Sequence, residues 1–214
     1  MTIRAYDELY LQSAQNVLGH SVDFAVMSLD VNPDDYGNAL CVSPAAVQFS
    51  VGNPRYTAGM NGCEFAREVL DSADISFTDT EDVMYLDKSP EYWAGWALAF
   101  YQWHSGLSFS EILSAVPLSR IIGMYHPFHE ADVSSFASAM DSELRSRHPD
   151  TRLREYRDSK GFTQAALAEY SGVPLRQIQL MEQRQRDINR TSAETLFKLC
   201  RALGCKMEDL LETQ

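Results

Sequence analysis

Residues 161–183 of this 214-residue chain read GFTQAALAEYSGVPLRQIQLMEQ. Two segments with helix-like apolar spacing flank the short turn Ser171-Gly172-Val173. Gly172 can adopt the positive φ that a tight turn between two helices requires. Thr163 is a favourable N-cap for the first helix, and Pro174 is compatible with the first turn of the second. The stretch therefore predicts two short helices joined by a tight turn.

The second of these helices is predicted over about residues 174–183, and one of its faces is expected to be buried in the core of the domain. Ile178 and Met181 lie three residues apart, a spacing that puts both on the same buried face. The other side is left for contact with another molecule. The residues expected there are Leu175, Arg176, Gln179 and Leu180, with Gln177 at the flank.

More helices are predicted on both sides of this pair. A helix over about residues 151–160 precedes it and buries Leu153 and Tyr156. After it, Thr191-Ser192-Ala193-Glu194 is predicted to form a capping box that opens a helix ending at Gly204. The apolar residues expected to pack in that helix and in a final short one are Leu196, Leu199, Leu203, Met207, Leu210 and Leu211.

Along its whole length, the segment 151–212 resembles the XRE-type helix-turn-helix family of phage-repressor and Cro-like proteins. The resemblance implies a five-helix, lambda-repressor-like domain that binds double-stranded DNA. It implies that Gln164, next to the cap Thr163, binds a DNA phosphate, which suits the unpaired N–H groups of a helix N-terminus. It also implies a structural ion pair between Arg157 and Glu182.

The resemblance further assigns positions that contact DNA bases and backbone. It turns Leu175, Arg176, Gln179 and Leu180 towards the major groove. There Arg176 can bond a guanine, Gln179 can bond an adenine, and a leucine can touch a thymine methyl group. The loop after this helix would contact the DNA backbone through Arg184, Gln185, Arg186, Asn189 and Arg190.

Two positions depart from the family pattern. Pro174 stands where the family usually has a Ser or Thr cap, which a helix tolerates in its first turn. Arg184 stands where the family often has Gly, so we expect an unusual backbone conformation there.

Charge is divided unevenly along the chain. The net charge is −12, yet residues 1–148 hold 7 Lys/Arg and 20 Asp/Glu. Residues 151–190 hold 8 Lys/Arg and 5 Asp/Glu, a net charge of +3. Basic residues therefore concentrate where a phosphate backbone is expected to lie, and the acidic remainder disfavours non-specific binding to DNA.

The first 148 residues are also predicted to be helical, so the whole chain is expected to be all-α. Helix starts are expected at Asn32-Pro33, Ser89-Pro90 and the capping box 108–111. Only residues 75–77 look extended. Pro149 cannot continue the preceding helix, which predicts two domains, 1–148 and 149–214.

The first domain resembles the N-terminal halves of uncharacterised helix-turn-helix proteins from gut bacteria. Two segments carry the resemblance: NPRYTAGMNGCEFAREVL (53–70) and YWAGWALAFYQW (92–103). That resemblance implies no activity.

One helix of the first domain is unusually aromatic, and its aromatic residues allow two interpretations. Trp93, Trp96, Phe100 and Trp103 recur at steps of three or four. They can line a pocket for a ligand or a peptide. The interpretation we favour is a central core helix that is apolar nearly all round because other helices surround it.

No residues indicate an enzyme, a cofactor or a metal site. His126-Pro127-Phe128-His129-Glu130 is expected to be a turn capped by the Glu, because Pro127 breaks the helix that would bring the ligands together. The four cysteines, Cys41, Cys63, Cys200 and Cys205, form no CxxC pair and are expected to be small buried residues. The chain contains neither a membrane-length apolar run nor a signal-peptide pattern, so we expect a cytoplasmic protein.

The sequence therefore predicts a DNA-binding transcriptional regulator, a repressor that binds a palindromic operator as a homodimer. The first domain can serve as a small-molecule sensor, bind a partner protein, or mediate assembly. A partner protein would suit an antitoxin-like function, in which the second domain regulates its own operon. The remaining alternative is a helical bundle that has lost DNA binding and serves assembly.

Overall fold

The computed structural model describes residues 4–83, 87–147 and 150–212. These residues form helices and connecting loops and no strand, as expected for an all-α chain. The chain forms two compact units, Met1–Leu144 (the first unit) and Arg145–Gln214 (the second unit). This division falls a few residues before the domain boundary that the sequence predicts. None of the described helices is both long and apolar enough to cross a membrane.

Residues 4–83 and 87–147 contain ten α-helices, and short 3-10 and π-helical turns flank the first of them. The 3-10 turn is Glu8–Tyr10, and the π turn is Phe24–Ser28. The α-helices are α1 (Leu11–Asp23), α2 (Pro33–Val42), α3 (Pro44–Ser50), α4 (Pro54–Thr57), α5 (Gly62–Ser72), α6 (Pro90–Ser105), α7 (Phe109–Ala115), α8 (Leu118–Gly123), α9 (Tyr125–Phe128) and α10 (Val133–Arg147).

The predicted caps explain where several of these helices begin. Asn32 accepts a hydrogen bond from the N–H of Asp34, and Ser89 accepts one from the N–H of Tyr92. Ser108 and Glu111 form the predicted capping box at the start of α7. Because these side chains satisfy N–H groups that the helix itself leaves unpaired, they fix its first turn.

Helix α6 is the centre of the first unit and packs along α1. Leu98 and Tyr101 are fully buried, as the core interpretation predicts. At the crossing, a Cβ atom on Gly95 would lie 2.4 Å from the carbonyl oxygen of Leu18, so only glycine fits there. The aromatic helix is therefore a core helix along most of its circumference.

Residues 75–77, which look extended in the sequence, lie outside the helices and form no strand. Helix α8 ends at Gly123, and the separate helix α9 follows it. One local prediction for the first unit is wrong. Glu130 does not cap the next helix: Asp132 accepts the N–H of Ser134 at 2.8 Å, while Glu130 lies 3.5 Å from the ring of His129. Asp132 is the cap because it sits directly before the first turn of α10.

Residues 150–212 of the second unit contain five α-helices, the number that the resemblance implies. They are α11 (Arg152–Ser159), α12 (Gln164–Ser171), α13 (Leu175–Glu182), α14 (Ala193–Leu203) and α15 (Met207–Leu210), with a 3-10 turn at Ile188–Arg190. Their shared core includes Leu153, Leu167, Ile178, Leu199 and Leu210.

The capping box predicted at residues 191–194 is wrong by one position. Ser192, not Thr191, is the N-cap of α14, and it accepts the N–H of Thr195 at 3.2 Å. Thr191 ends the preceding 3-10 turn, so α14 begins one residue later than predicted. Glu194 then pairs with Lys198 at 2.6 Å on the helix surface.

All four cysteines are free thiols. Cys63 and Cys200 are buried, whereas Cys41 and Cys205 are only half-buried. Burial raises the pKa of Cys200 to about 12, so this thiol behaves as a small core residue.

Candidate nucleic-acid interface

The turn between α12 and α13 has the geometry that its residues predict. The Thr163 hydroxyl accepts the N–H of Ala166 at 3.1 Å and so caps α12. Gly172 ends α12 with φ 71° and ψ 15°, a left-handed conformation that glycine adopts without strain. Pro174 occupies the cap position of α13 and makes no side-chain hydrogen bond there.

Helix α13 presents one buried and one accessible side. Ile178 and Met181 are buried in the core of the second unit. Leu175 and Arg176 are exposed, and the side chains of Gln177, Gln179 and Leu180 are half-buried. Arg176 makes no ion pair or side-chain hydrogen bond with any described residue, so its guanidinium donors are available to a ligand.

A buried ion pair holds α11 against the end of α13. Arg157 donates two hydrogen bonds to Glu182, from Nε at 2.6 Å and from Nη2 at 3.0 Å. The Arg157 side chain is 10% exposed and that of Glu182 is 3% exposed. The hydrogen bond with Glu182 raises the pKa of Arg157. Nη1 also donates to the carbonyl of Phe162 at 2.7 Å, so the guanidinium links three segments of the domain.

Gln164 belongs to the same network. Its amide nitrogen donates to Oε2 of Glu182 at 2.8 Å. An amide group carries two N–H donors, and this bond uses one of them. Glu182 therefore holds the side chain of Gln164 in place, and one N–H donor of the Gln164 amide is left to bind a DNA phosphate.

The loop after α13 begins with a strained residue. Arg184 has φ 55°, as expected for a position where the family often has glycine. Its guanidinium donates to the carbonyl of Asp150 at 3.0 Å and lies 3.7 Å from the carboxylate of Glu212. The side chain of Arg184 therefore binds other parts of the domain.

Some of the remaining loop side chains also bind within the domain, whereas others are exposed and make no such bond. Asn189 forms a reciprocal amide pair with the backbone of Glu212, donating to its carbonyl and accepting its N–H at 2.9 Å. Arg190 is exposed and lies 3.3 Å from Asp187. Gln185 and Arg186 are exposed, and neither side chain bonds to any of the described residues.

Glu212 is the residue that the sequence analysis missed. Besides its contacts with Asn189 and Arg184, its carboxylate accepts the N–H of Arg152 at 2.7 Å, at the start of α11. It therefore connects the loop to the first helix of the domain. No motif marks this residue, because its role depends on segments distant in sequence.

Ion pairing reduces the charge available at this surface. Within residues 150–190, carboxylates lie within ion-pair distance of Arg154, Arg157, Arg184 and Arg190. In that described range, Lys160, Arg176 and Arg186 have no carboxylate partner. The positive field of the domain is therefore modest.

The four aromatic residues singled out in the first unit do not form one site. Trp103 is buried, and its Nε1 donates to the carbonyl of Tyr6 at 2.9 Å. Phe100 stacks on His104 with ring centroids 5.7 Å apart. Trp93 and Trp96 instead line an open cleft. Among the described residues, no cluster of three or more His, Cys, Asp or Glu side chains can hold a metal ion.

Comparison with known proteins identifies the second unit. Residues 153–210 match the family model described as Helix-turn-helix, a family of DNA-binding regulators. No curated protein matches the chain significantly, and no solved structure does so. The matched range covers α11–α15 and includes the capped α12, the left-handed Gly172 and the half-exposed α13. Residues 153–210 of this chain are a helix-turn-helix domain of the XRE type.

Proposed function

We propose that this protein is a sequence-specific transcriptional repressor that binds a palindromic operator as a homodimer. The observation that carries the proposal is the accessible side of α13, where Arg176 bonds to none of the described residues, on a helix-turn-helix frame. A repressor must bind chromosomal DNA, so this function implies a cytoplasmic protein.

In the proposed complex, α13 lies in the major groove of the operator. Arg176 donates two hydrogen bonds to a guanine, and Gln179 bonds an adenine. Leu175, which is 39% exposed, contacts a thymine methyl group. Gln177 and Leu180 lie beside these residues and exclude water from the contact.

Backbone contacts come from two places. The first-turn N–H groups of α12 and the remaining donor of Gln164 bind one phosphate. Arg186 and Gln185 bind another, because their side chains are exposed and uncommitted. Arg184 and Asn189 support this loop from inside the domain rather than touching DNA.

The small number of unpaired cations favours a dimer. Each phosphate contact contributes to the salt-dependent, sequence-independent part of the affinity. One domain with so few such contacts binds weakly, whereas two domains on adjacent half-sites bind together. Two-fold symmetry then requires half-sites about 34 Å apart, one turn of the double helix.

Selection of bound sites from random double-stranded DNA tests this function. Purified full-length protein should enrich an inverted repeat with half-site centres about 10–11 base pairs apart. A protein with Arg176→Ala, carried through the same selection, is the matched control and should lose one conserved guanine per half-site. Recovery of unenriched DNA by the unmodified protein would contradict the proposal, and enrichment of a single half-site would contradict the dimer.

A further inference from the structure

A cleft of about 560 Å³ opens on the first unit beside α6, α9 and the start of α10. Its volume is in the range of small-molecule binding sites. Half of its lining residues are Phe, Trp or Tyr. Its lining includes Lys88, Trp93, Trp96, Tyr125, Phe128 and Asp132.

The aromatic side chains of the cleft have unused hydrogen-bond donors. Trp103, elsewhere on α6, donates its indole N–H to a backbone carbonyl. By contrast, the indole N–H groups of Trp93 and Trp96 have no partner among the described residues, and the same holds for the hydroxyl of Tyr125. Trp and Tyr side chains with apolar rings and unpaired polar ends are suited to a ligand that combines an aromatic ring with hydrogen-bond acceptors.

Lys88 supplies an available positive charge at the same cleft. The first unit is strongly acidic, and its cations Arg55, Arg67 and Arg120 all pair with carboxylates. Lys88 has no carboxylate partner within the described part of the chain. Its ammonium group lies 4.0 Å from the centre of the Tyr92 ring, another lining residue. Lys88 Nζ also lies 3.4 Å from Nε2 of His20, a contact that uses at most one of its three N–H donors. The ammonium therefore keeps donors with which to bind an anion.

We propose that this cleft binds small aromatic carboxylates. The ring lies against the aromatic walls formed by Trp93, Trp96 and Phe128, and the carboxylate bonds to Lys88. The indole and phenol donors favour an acceptor-bearing ligand over a cation. The one carboxylate of the lining, Asp132, already accepts the N–H of Ser134 at the start of α10.

The site lies within the first unit and does not depend on the proposed DNA binding. It makes the first unit a candidate sensor for this class of compound. The proposal is therefore tested by measuring the binding of small carboxylates to the protein in the absence of DNA.

Isothermal titration calorimetry of the full-length protein compares three probes of similar size: phenylacetate, phenethylamine and cyclohexylacetate. Phenylacetate should bind at least about tenfold more tightly than either of the others. The amine lacks the charge that Lys88 recognises, and the saturated ring lacks the aromatic contact; a tenfold difference is typical of one charge-assisted hydrogen bond. No detectable binding of phenylacetate at millimolar concentration, or tighter binding of the amine, would overturn the proposal.

Variants then locate the site. Lys88→Gln should weaken phenylacetate binding by about tenfold or more. Trp96→Leu should weaken it by about fivefold, whereas Phe100→Leu, on the same helix but outside the cleft, should leave it unchanged. Circular dichroism melting verifies that each variant is folded. Equal loss in the Trp96 and Phe100 variants, or no loss in the Lys88 variant, would show that the cleft is not the binding site.

Discussion

Replacing Arg157 with methionine should destabilise the second unit by about 3 kcal/mol. The substitution leaves Glu182, whose side chain is only 3% exposed, without its cation. Removing one partner of a buried ion pair costs about 3–5 kcal/mol, because the remaining charge stays out of water. We expect the lower end of that range, since Gln164 still donates a hydrogen bond to the carboxylate.

A double-mutant cycle separates the ion pair from the loss of packing. Arg157→Met/Glu182→Met removes both charges, so it should be less destabilising than the sum of the single changes by about 2 kcal/mol. Asp158→Asn is the matched control. Asp158 also contacts Arg157 but is 54% exposed, so its loss should cost less than about 1 kcal/mol.

Hydrogen exchange followed by mass spectrometry measures these effects on peptides from residues 150–212. All three tryptophans lie in the first unit, so tryptophan fluorescence in urea gives an internal reference that should not shift. A loss of less than about 1 kcal/mol for Arg157→Met, or strictly additive single and double variants, would refute the view that this pair holds the domain together.

Three other predictions follow from the structure. Gly95→Ala should destabilise the first unit by about 1–3 kcal/mol in urea unfolding, because the new methyl group meets the backbone of α1, while Gly123→Ala, with no atom near its added Cβ, should not. Arg186→Ala should weaken binding to every DNA sequence and reduce the slope of log affinity against log salt by about 1 in fluorescence anisotropy; an unchanged slope would remove Arg186 from the contact surface. Burial and the nearby Arg4 lower the pKa of His104, so the stability of the first unit should fall as the pH drops below about 6.5, and His104→Gln should reduce that dependence.

The sequence predicts best where one residue decides the local conformation. Gly172 and Gly204 end their helices in the left-handed conformation because other residues would be strained there. Ser89 and Ser108 cap their helices for an equally local reason. Such signals correctly indicate where several helices of both units begin or end.

The sequence predicts less well where two neighbouring residues are equally good helix caps, or where a side chain bonds to a segment distant in sequence. Thr191 and Ser192 are both good caps, and only the preceding 3-10 turn decides between them. Asn189 is predicted from the sequence to contact DNA, and nothing in its loop indicates that its amide also pairs with the backbone of Glu212. That pairing follows from tertiary packing, so the pattern of residues in the loop cannot reveal it.

The same limit applies to the aromatic helix. Its spacing predicts which side chains share a face, but not which neighbours cover that face. Trp103 meets the backbone of Tyr6 and is buried, whereas Trp93 and Trp96 border a cleft. The core interpretation therefore holds for part of α6, while the pocket interpretation stays a prediction for the part that borders the cleft.

The central claim is that the exposed side of α13 reads DNA sequence. It is tested most directly by measuring the affinities of the unmodified protein and of Arg176→Ala for the selected operator and for the operator with its contacted guanine replaced. The unmodified protein should prefer the intact operator by about 1–3 kcal/mol per replaced base pair, and the variant should lose that preference at this position alone. Equal discrimination by the two proteins would contradict the claim.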